Sequence, residues 1–260
     1  MSYLTKLLDS TRARVAEAKE RVTADALEQR IAAADEPRPF RSALMGPEVA
    51  IIGEIKRASP SKGVFDANLS ASAAAAEYAR GGAAALSVLT EPEFFRGSLE
   101  DLSSAASAGL PVLRKDFIVD SFQVLESRAA GADAVLLIVR ALEDEDLSGL
   151  MAASRSLGMD ALVEVHDLVE LNRALDAGAD LVGVNNRDLE TFEVDEQRTA
   201  ELASRVPEDV TLVSLSGVST RAAVEAQAAV GAHAVLVGEA LVRSDDPAST
   251  LRELRGVDAH

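Results

Sequence analysis

Two side chains able to exchange protons stand two positions apart in the segment V-A-I-I-G-E-I-K-R-A-S-P-S-K-G, residues 49–63. An apolar run typical of a strand ends in Glu54 and Lys56, and a turn rich in Ser, Pro and Gly follows at once. Alternate residues of a strand face the same side, so this carboxylate and this amine project together. Such a pair can serve as a general acid and base, and it can equally be a plain ion pair.

Polar residues also lie within or just after later apolar runs. In chain order they are Lys115 and Asp116, Glu164 and His166, and Asn185, Asn186 and Arg187. A lone buried Glu is costly without a partner, so Glu164 is expected beside Lys115 or Lys56. Lys115 and Asp116 could instead form a surface pair. Two Lys and two Glu at one end of a sheet would supply both a general acid and a general base.

The histidines suggest supporting roles. His166 lies one residue beyond Val165 and beside Asp167, which begins a helical stretch, so it is expected in a loop or cap. His233 precedes the last apolar run, at the opposite end of the sheet, and is expected to be structural. No His and carboxylate cluster has the spacing of metal ligands, so no metal is expected.

Glycine turns after the last two apolar runs carry a second signal. S-G-V-S-T contains Ser216 and Gly217, and V-G-E-A-L contains Gly238 and Glu239. Backbone N–H groups exposed in such turns near helix starts can bind phosphate, and the side chain of Glu239 should then point away from the anion. Ser59 in the first turn could join the same anion. The alternative is two ordinary glycine turns.

The elements that must position these residues alternate along the chain. Residues 3–34 predict a helix that ends before Pro37 and Pro39. Strands are predicted at Val49–Ile55, Ala83–Leu89, Pro111–Arg114, Ala134–Val139, Ala161–Val165, Leu181–Val184, Val210–Leu215 and Ala234–Val237. Helices between them include Ser70–Arg80, Ser121–Ala130, Glu143–Leu157, Leu168–Ala177 and Thr220–Ala229.

This alternation favours an α/β fold with a parallel sheet. Eight units of this length match a single (β/α)8 TIM barrel spanning 1–260, with 1–48 as an N-terminal helical extension. A doubly wound open sheet is the alternative, but it usually has fewer strands and a glycine-rich first turn. In the barrel, polar residues at the C-terminal strand ends would share one site.

Composition narrows the function classes. The formal net charge of −17 argues against a nucleic-acid partner and disfavours anionic membrane surfaces. No apolar run reaches about 18 residues, so no membrane span is expected. The chain has no cysteine, and its start lacks the order of a signal peptide, which predicts a cytoplasmic protein. An anionic small molecule could still bind where positive charge is concentrated. We expect a monomer, with a weak dimer as the alternative.

Seven segments together resemble the indole-3-glycerol phosphate synthase family. They are E-I-K-R-A-S-P-S-K-G at 54–63, L-S-V-L-T-E at 86–91, L-R-K-D-F-I-V-D at 113–120, A-D-A-V-L-L-I-V at 132–139, L-V-E-V-H at 162–166, G-V-N-N-R-D-L-E-T-F at 183–192 and V-L-V-G-E-A-L at 235–241. Their order and spacing make the resemblance specific, and it spans about residues 49–256. The helical extension also resembles that of the family.

The resemblance implies a phosphorylated small-molecule substrate, 1-(2-carboxyphenylamino)-1-deoxyribulose 5-phosphate, closed to indole-3-glycerol phosphate with loss of CO2 and water and no cofactor. It implies Lys115 as the general acid, Lys56 as the ligand of the substrate carboxylate, and Glu54 and Glu164 as stabilising and proton-accepting carboxylates. Asn185 would orient a hydroxyl. The remaining substrate contacts implied are Ser59, Pro60, Phe95, Phe117, Leu136, Arg187, Leu189, Ser216, Gly217, Gly238 and Glu239.

One position departs from the family pattern. The family usually reads E-S-G after the seventh strand, with the Glu facing the substrate, whereas this chain reads S-L-S-G with Leu215 in that place. Loss of a nearby carboxylate could lower turnover, because charge stabilisation in a transition state is local. The alternatives to an active synthase are a sugar-phosphate isomerase on the same barrel, which would be expected to use a Cys or an Asp pair, and a barrel with weakened or lost activity.

Overall fold

The computed structural model describes residues 3–257. Its N-terminal extension contains three helices, α1 at Tyr3–Arg21, α2 at Ala24–Ala32 and α3 at Phe40–Ala43. The prediction of one helix over 3–34 was therefore wrong in its continuity. The side chain of Thr23 caps α2 by accepting a hydrogen bond from the backbone N–H of Ala26, and this cap starts a new helix where composition alone shows no break.

Eight parallel strands within the described residues close into a barrel. They are β1 Ala50–Ile55, β2 Ala85–Leu89, β3 Val112–Lys115, β4 Ala134–Ile138, β5 Asp160–Val165, β6 Leu181–Asn185, β7 Thr211–Leu215 and β8 Ala234–Val237. Each strand pairs with its neighbours in sequence, and β1 closes the ring by pairing with both β2 and β8. The predicted (β/α)8 barrel is confirmed, with strand bounds shifted by one or two residues at most.

Helices cover the outside of this ring. They are α4 Ala71–Arg80, α5 Leu99–Ala106, α6 Ser121–Ala129, α7 Asp144–Ser156, α8 Leu168–Asp176, α9 Arg198–Ala203, α10 Arg221–Ala229, α11 Glu239–Val242 and α12 Pro247–Arg255. A 3-10 turn at Val139–Ala141 follows β4. The sequence interpretation did not name the short helices α5, α9 and α11 or the last helix α12. A small hairpin, Ala58–Ser59 with Gly63–Val64, was also not predicted.

The core has two shells, as expected when strands are buried on both faces. Outward-facing side chains such as Val163 and Val182 pack against the helices, whereas Leu136, Leu162 and Leu215 fill the barrel interior. The extension covers part of the barrel, since Phe40 belongs to the interior cluster and is fully buried. No helix within residues 3–257 is both long and apolar enough to cross a membrane.

Candidate active site

A cavity of about 890 Å³, including its open mouth, lies at the C-terminal ends of the strands. Most of the predicted site residues line it: Glu54, Lys56, Ser59, Pro60, Phe95, Lys115, Phe117, Leu136, Glu164, Asn185, Arg187, Leu189, Ser216 and Glu239. Gly217 and Gly238 line an adjoining lobe that shares Glu54, Lys56, Arg187, Ser216 and Glu239 with the main cavity. The barrel therefore brings all sixteen predicted residues to one mouth.

The Glu54–Lys56 pair lies between the two lobes. Lys56 Nζ donates to Glu54 Oε1 at 2.6 Å, and both side chains are largely buried. Burial acts to raise the pKa of the Glu54 carboxyl, but the charges of Lys56, Lys115 and Arg187 outweigh it, so the pKa lies below its usual value. This carboxylate is therefore ionised at neutral pH, and it can stabilise developing positive charge.

A second ion pair faces the same cavity from β3 and β5. Lys115 Nζ lies 3.4 Å from Glu164 Oε2, while Asn185 Nδ2 on β6 donates to Glu164 Oε1 at 2.9 Å. Glu164 is buried, with 1% of its side chain exposed, and the expectation that it lies beside Lys115 agrees with this geometry. An ammonium and a carboxylate in contact can exchange a proton during a reaction, as an acid and its conjugate partner.

Apolar side chains form one wall of the main cavity. Phe95, Phe117, Leu136 and Leu189 line it, as the resemblance implies. Tyr3 and Leu7 of α1 join this wall, and the Tyr3 ring stands edge-on to Phe192 at a centroid distance of 5.1 Å. An apolar wall opposite a set of charged groups suits a ligand with an aromatic ring and an anionic substituent.

The adjoining lobe is shaped by backbone conformation. Ser216 and Gly217 both have positive φ, +65° and +87°. This backbone conformation costs free energy for a serine, and it persists where surrounding contacts hold the residue in place. Asn186 supplies such contacts, because its Nδ2 donates to Ser214 Oγ and to the Ser216 carbonyl, both at 3.1 Å. The Glu239 side chain accepts from Arg243 at 3.0 Å.

Two polar residues have partners other than those considered from the sequence. Asp116 is not a surface partner of Lys115, since it is buried and bonds to Arg114 at 3.0 Å and to Thr90 at 2.7 Å. Burial would raise its pKa, but the charges of Arg114 and Arg14 hold the pKa of this carboxyl below its usual value. Arg187 donates to the Phe192 carbonyl at 2.9 Å, which fixes the guanidinium at the cavity edge.

The two histidines differ in outcome. His233 lies at the N-terminal end of the barrel, where its Nδ1 pairs with the Leu212 backbone N–H at 3.0 Å, as a structural role requires. His166 lies in the bend between β5 and α8, as expected of a loop residue, but its side chain is buried. Its side chain is 1% exposed and faces the carboxylates of Glu164 and Glu170.

Comparison with known proteins decides the family. The family model for indole-3-glycerol phosphate synthase matches residues 4–254. The chain belongs to this family. Proteins named indole-3-glycerol phosphate synthase from Parafrankia sp. (strain EAN1pec) and Micrococcus luteus are 48% and 47% identical to it. The first match covers 100% of this chain and 97% of the relative, and the second covers 98% and 97%.

Solved structures extend the likeness of fold beyond this family. A crystal structure of 3-hexulose-6-phosphate synthase superposes with a TM-score of 0.64 at 18% identity, covering 81% of this chain and all of the other. Thiamine phosphate pyrophosphorylase from Pyrococcus furiosus gives a TM-score of 0.61 at 17% identity, covering 83% and 96%. At such identities the likeness shows the barrel alone.

Leu215, where the resemblance implies a departure from the family pattern, lies beneath the cavity. Leu215 is 1% exposed, packs in the interior cluster with Leu162, and does not line either lobe. Gly183 makes room for it, because a Cβ at 183 would lie 2.7 Å from Leu215 Cδ1. Leu215 stands opposite Asn185 in the strand register, so its backbone is level with the polar groups of the mouth.

Proposed function

We propose that this member of the family closes 1-(2-carboxyphenylamino)-1-deoxyribulose 5-phosphate to indole-3-glycerol phosphate, releasing CO2 and water. The observation that carries the proposal is the arrangement of Lys115, Glu164 and Asn185 opposite the Glu54–Lys56 pair. It combines a proton donor, proton acceptors and fixed charges in one cavity with an apolar wall. The anthranilate ring would lie against the wall formed by Phe95, Phe117, Leu136 and Leu189.

In this reaction the ring carbon that bears the carboxylate attacks the ketone carbon. Lys115 gives a proton to the ketone oxygen as the new carbon–carbon bond forms. Loss of CO2 then restores aromaticity, and the hydroxyl leaves as water with a proton from Lys56, while a carboxylate accepts the proton from the adjacent methylene. Glu164 and Glu54 supply that carboxylate and stabilise the cationic intermediate.

The remaining groups bind the substrate. Lys56 pairs with the substrate carboxylate before it is lost, and Asn185 orients a hydroxyl. The phosphate would occupy the lobe lined by Ser216, Gly217 and Gly238, with main-chain N–H donors. Ser59 lines the main cavity rather than this lobe, and its hydroxyl oxygen is buried and makes no hydrogen bond with the part of the chain that the structure describes. It would bond to the same anion where the two cavities meet.

An assay with the purified chain tests the proposal directly. Indole fluorescence should appear on addition of the carboxyphenylamino substrate, and no product at high enzyme concentration would exclude the synthase activity. Lys115→Met should abolish ring closure while substrate binding is retained, because it removes the acid and keeps a side chain of similar length. Lys6→Met, the same exchange at an exposed position of α1, is the matched control.

We also propose that the chain acts in the cytoplasm as a single barrel unit and a monomer, with a weak dimer as the alternative. Its phosphorylated substrate supports the location, because membranes retain such an anion inside the cell. Light scattering at several protein concentrations would distinguish a monomer from a dimer.

A further inference from the structure

His166 lies directly behind Glu164, the carboxylate that faces Lys115. Its Nε2 is 3.6 Å from Glu164 Oε1, and its Nδ1 is 3.0 Å from Glu170 Oε2. Glu164 lies in β5, which ends at Val165, and His166 occupies the bend that follows, so the imidazole approaches Glu164 from just beyond the strand. The imidazole thus stands between one carboxylate that faces the cavity and another that does not.

The Glu170 side is held rigidly. Glu170 Oε2 also accepts the backbone N–H of His166 at 2.8 Å, and its Oε1 accepts from Arg140 Nε at 2.7 Å. Burial acts to raise the pKa of the Glu170 carboxyl, but its bonds with His166 and Arg140 hold the pKa below the usual value. An ionised Glu170 therefore faces Nδ1, which fixes the proton on that nitrogen and stabilises an imidazolium.

On the side that faces Glu164, the imidazole lacks a hydrogen bond. Nε2 is buried and has no hydrogen-bond partner within residues 3–257, which is unusual for a buried polar atom. Its nearest acidic group is Glu164 Oε1, which already accepts from Asn185. One proton between Nε2 and Oε1, carried by either atom, would pair the two groups.

Other charged groups approach His166 from each neighbouring element. Arg140, in the turn after β4, pairs with two carboxylates. It lies 3.8 Å from Asp167 at the start of α8 and 3.6 Å from Asp188 after β6. Arg198, Glu201 and Arg205 of the α9 region line a surface cavity together with His166. The imidazole therefore lies between the active site and an outer cavity.

We propose that His166 is a positioning residue that shares one proton with Glu164 and so controls the ionisation of that carboxylate during turnover. When Glu164 accepts the methylene proton, its O–H bond breaks as a new N–H bond forms at Nε2, which leaves Glu164 ionised beside Lys115 and a cationic imidazole beside Glu170. The proton returns from Nε2 to Glu164 when Glu164 passes a proton to Lys115, which became a neutral amine when it protonated the ketone oxygen. This role rests on the proposed function, because it needs Glu164 to accept a proton.

Three substitutions test the proposal in the full-length chain. His166→Gln keeps an amide near Glu164 but cannot titrate, His166→Phe removes both nitrogens, and Glu170→Gln keeps an acceptor for Nδ1 but removes its charge. For both His166 variants we expect kcat to fall about ten- to a hundredfold, a loss typical when a residue that orients another is removed. KM should change little, because His166 does not line the substrate cavity.

The pH profile separates this role from simple packing. Without an imidazole to take up the proton that Glu164 accepts, Glu164 should return to its ionised form less readily at low pH. The acidic limb of the kcat profile should therefore move to higher pH by about one unit, which is a tenfold change in proton concentration. Glu170→Gln should move it in the same direction. His233→Gln, at the opposite end of the barrel, is the matched control and should leave the limb in place.

Nitrogen NMR of the chain labelled at histidine gives a readout besides activity. The sequence has three His, so the signal lost in His166→Gln identifies residue 166. We expect its nitrogen shifts at a fixed pH to differ between the wild type and Glu170→Gln, because Glu170 lies 3.0 Å from Nδ1. If wild-type protein forms product while the His166 variants keep its kcat and pH profile, the proposal is wrong. If the wild type forms no product, the proposed function fails instead, and the NMR comparison still shows whether Glu170 controls His166.

Discussion

Gly238 tests whether the Glu54–Lys56 pair must be placed closely for turnover. This glycine has φ of −126°, which is not the left-handed region that favours glycine, and the space around it is what a new side chain would test. A Cβ at 238 would overlap Glu54 Oε1 and would lie 2.9 Å from Lys56 Nζ and 3.2 Å from Glu54 Cβ. Glycine therefore allows the ion pair to lie against the adjoining lobe of the cavity.

Gly238→Ala should disturb the site more than the fold. The carboxylate would have to retreat by about 1 Å, and a displacement of that size near reacting groups costs about a hundredfold in rate. The atoms displaced are mostly the ends of two flexible side chains, so the free energy of unfolding should fall by less than about 1 kcal/mol. We therefore expect kcat/KM to fall by about a hundredfold with an almost unchanged melting temperature.

The assay compares initial rates of indole fluorescence and thermal unfolding for Gly238→Ala and a control. Gly149→Ala is the matched exchange, because Gly149 lies inside α7 with nothing within 4 Å of a new Cβ. It should leave the rate unchanged and stabilise the helix by about 0.5–1 kcal/mol. Wild-type kcat/KM in Gly238→Ala would refute the reasoning, since the pair would then tolerate displacement.

Two further substitutions address the seventh strand and the buried charges. Leu215→Glu should lower the free energy of unfolding by about 2–3 kcal/mol, because it removes apolar packing. It should also raise kcat by about tenfold, because it adds a carboxylate near the substrate. The fluorescence assay measures this with Leu215→Gln as control, and an unchanged kcat would mean that other residues compensate for the leucine. Asp116→Asn should lower the free energy of unfolding by about 2 kcal/mol, as measured by urea unfolding, because Arg114 keeps its pair with Glu126 but loses its bond to a fully buried carboxylate. Because folding lowers the pKa of Asp116 from 3.8, its stabilising effect is complete above that pH and is lost as pH falls below it. Acid unfolding should therefore be less steep in Asp116→Asn, and an identical slope would contradict this.

The barrel was predictable because its signals are periodic and redundant. Apolar runs such as Ala234–Val237 coincide with strands, since a strand buried on both faces cannot carry polar residues at low cost. The break at Thr23 and the helix Leu99–Ala106 were not predicted, because each depends on a local cap, such as the Ser98 hydroxyl that accepts from Asp101. The composition of a helix alone does not reveal which side chain accepts the capping hydrogen bond.

The sequence predicted which residue lies at which strand end of the site. It predicted the orientation of the side chains less well. His166 appeared to be a cap because Asp167 beside it does cap α8, accepting from the Glu170 backbone at 2.9 Å. One helical turn places Glu170 against the imidazole, a contact between residues four apart that directs the ring inward. Leu215 is paired with Asn185 in the strand register, yet its side chain packs over Gly183. This orientation depends on the space that the glycine leaves inside the barrel, which the sequence pattern does not show.

The departure at Leu215 also changes the charge balance of the mouth. Three cationic side chains face the cavities. Lys56 contacts Glu54 and Lys115 contacts Glu164, whereas the guanidinium of Arg187 donates to the Phe192 carbonyl. In a chain with a net charge of −17, the charges that line the main cavity are nearly balanced, so its share of positive charge exceeds that of the chain as a whole. The charged residues that line it are Lys56, Lys62, Lys115 and Arg187, and Glu54, Glu91, Asp116, Glu164 and Glu239. A further carboxylate at position 215 would neutralise part of the positive charge. The leucine is therefore expected to favour binding of the dianionic end of the substrate while weakening stabilisation of the cationic intermediate, so a change to Glu should raise kcat and KM together.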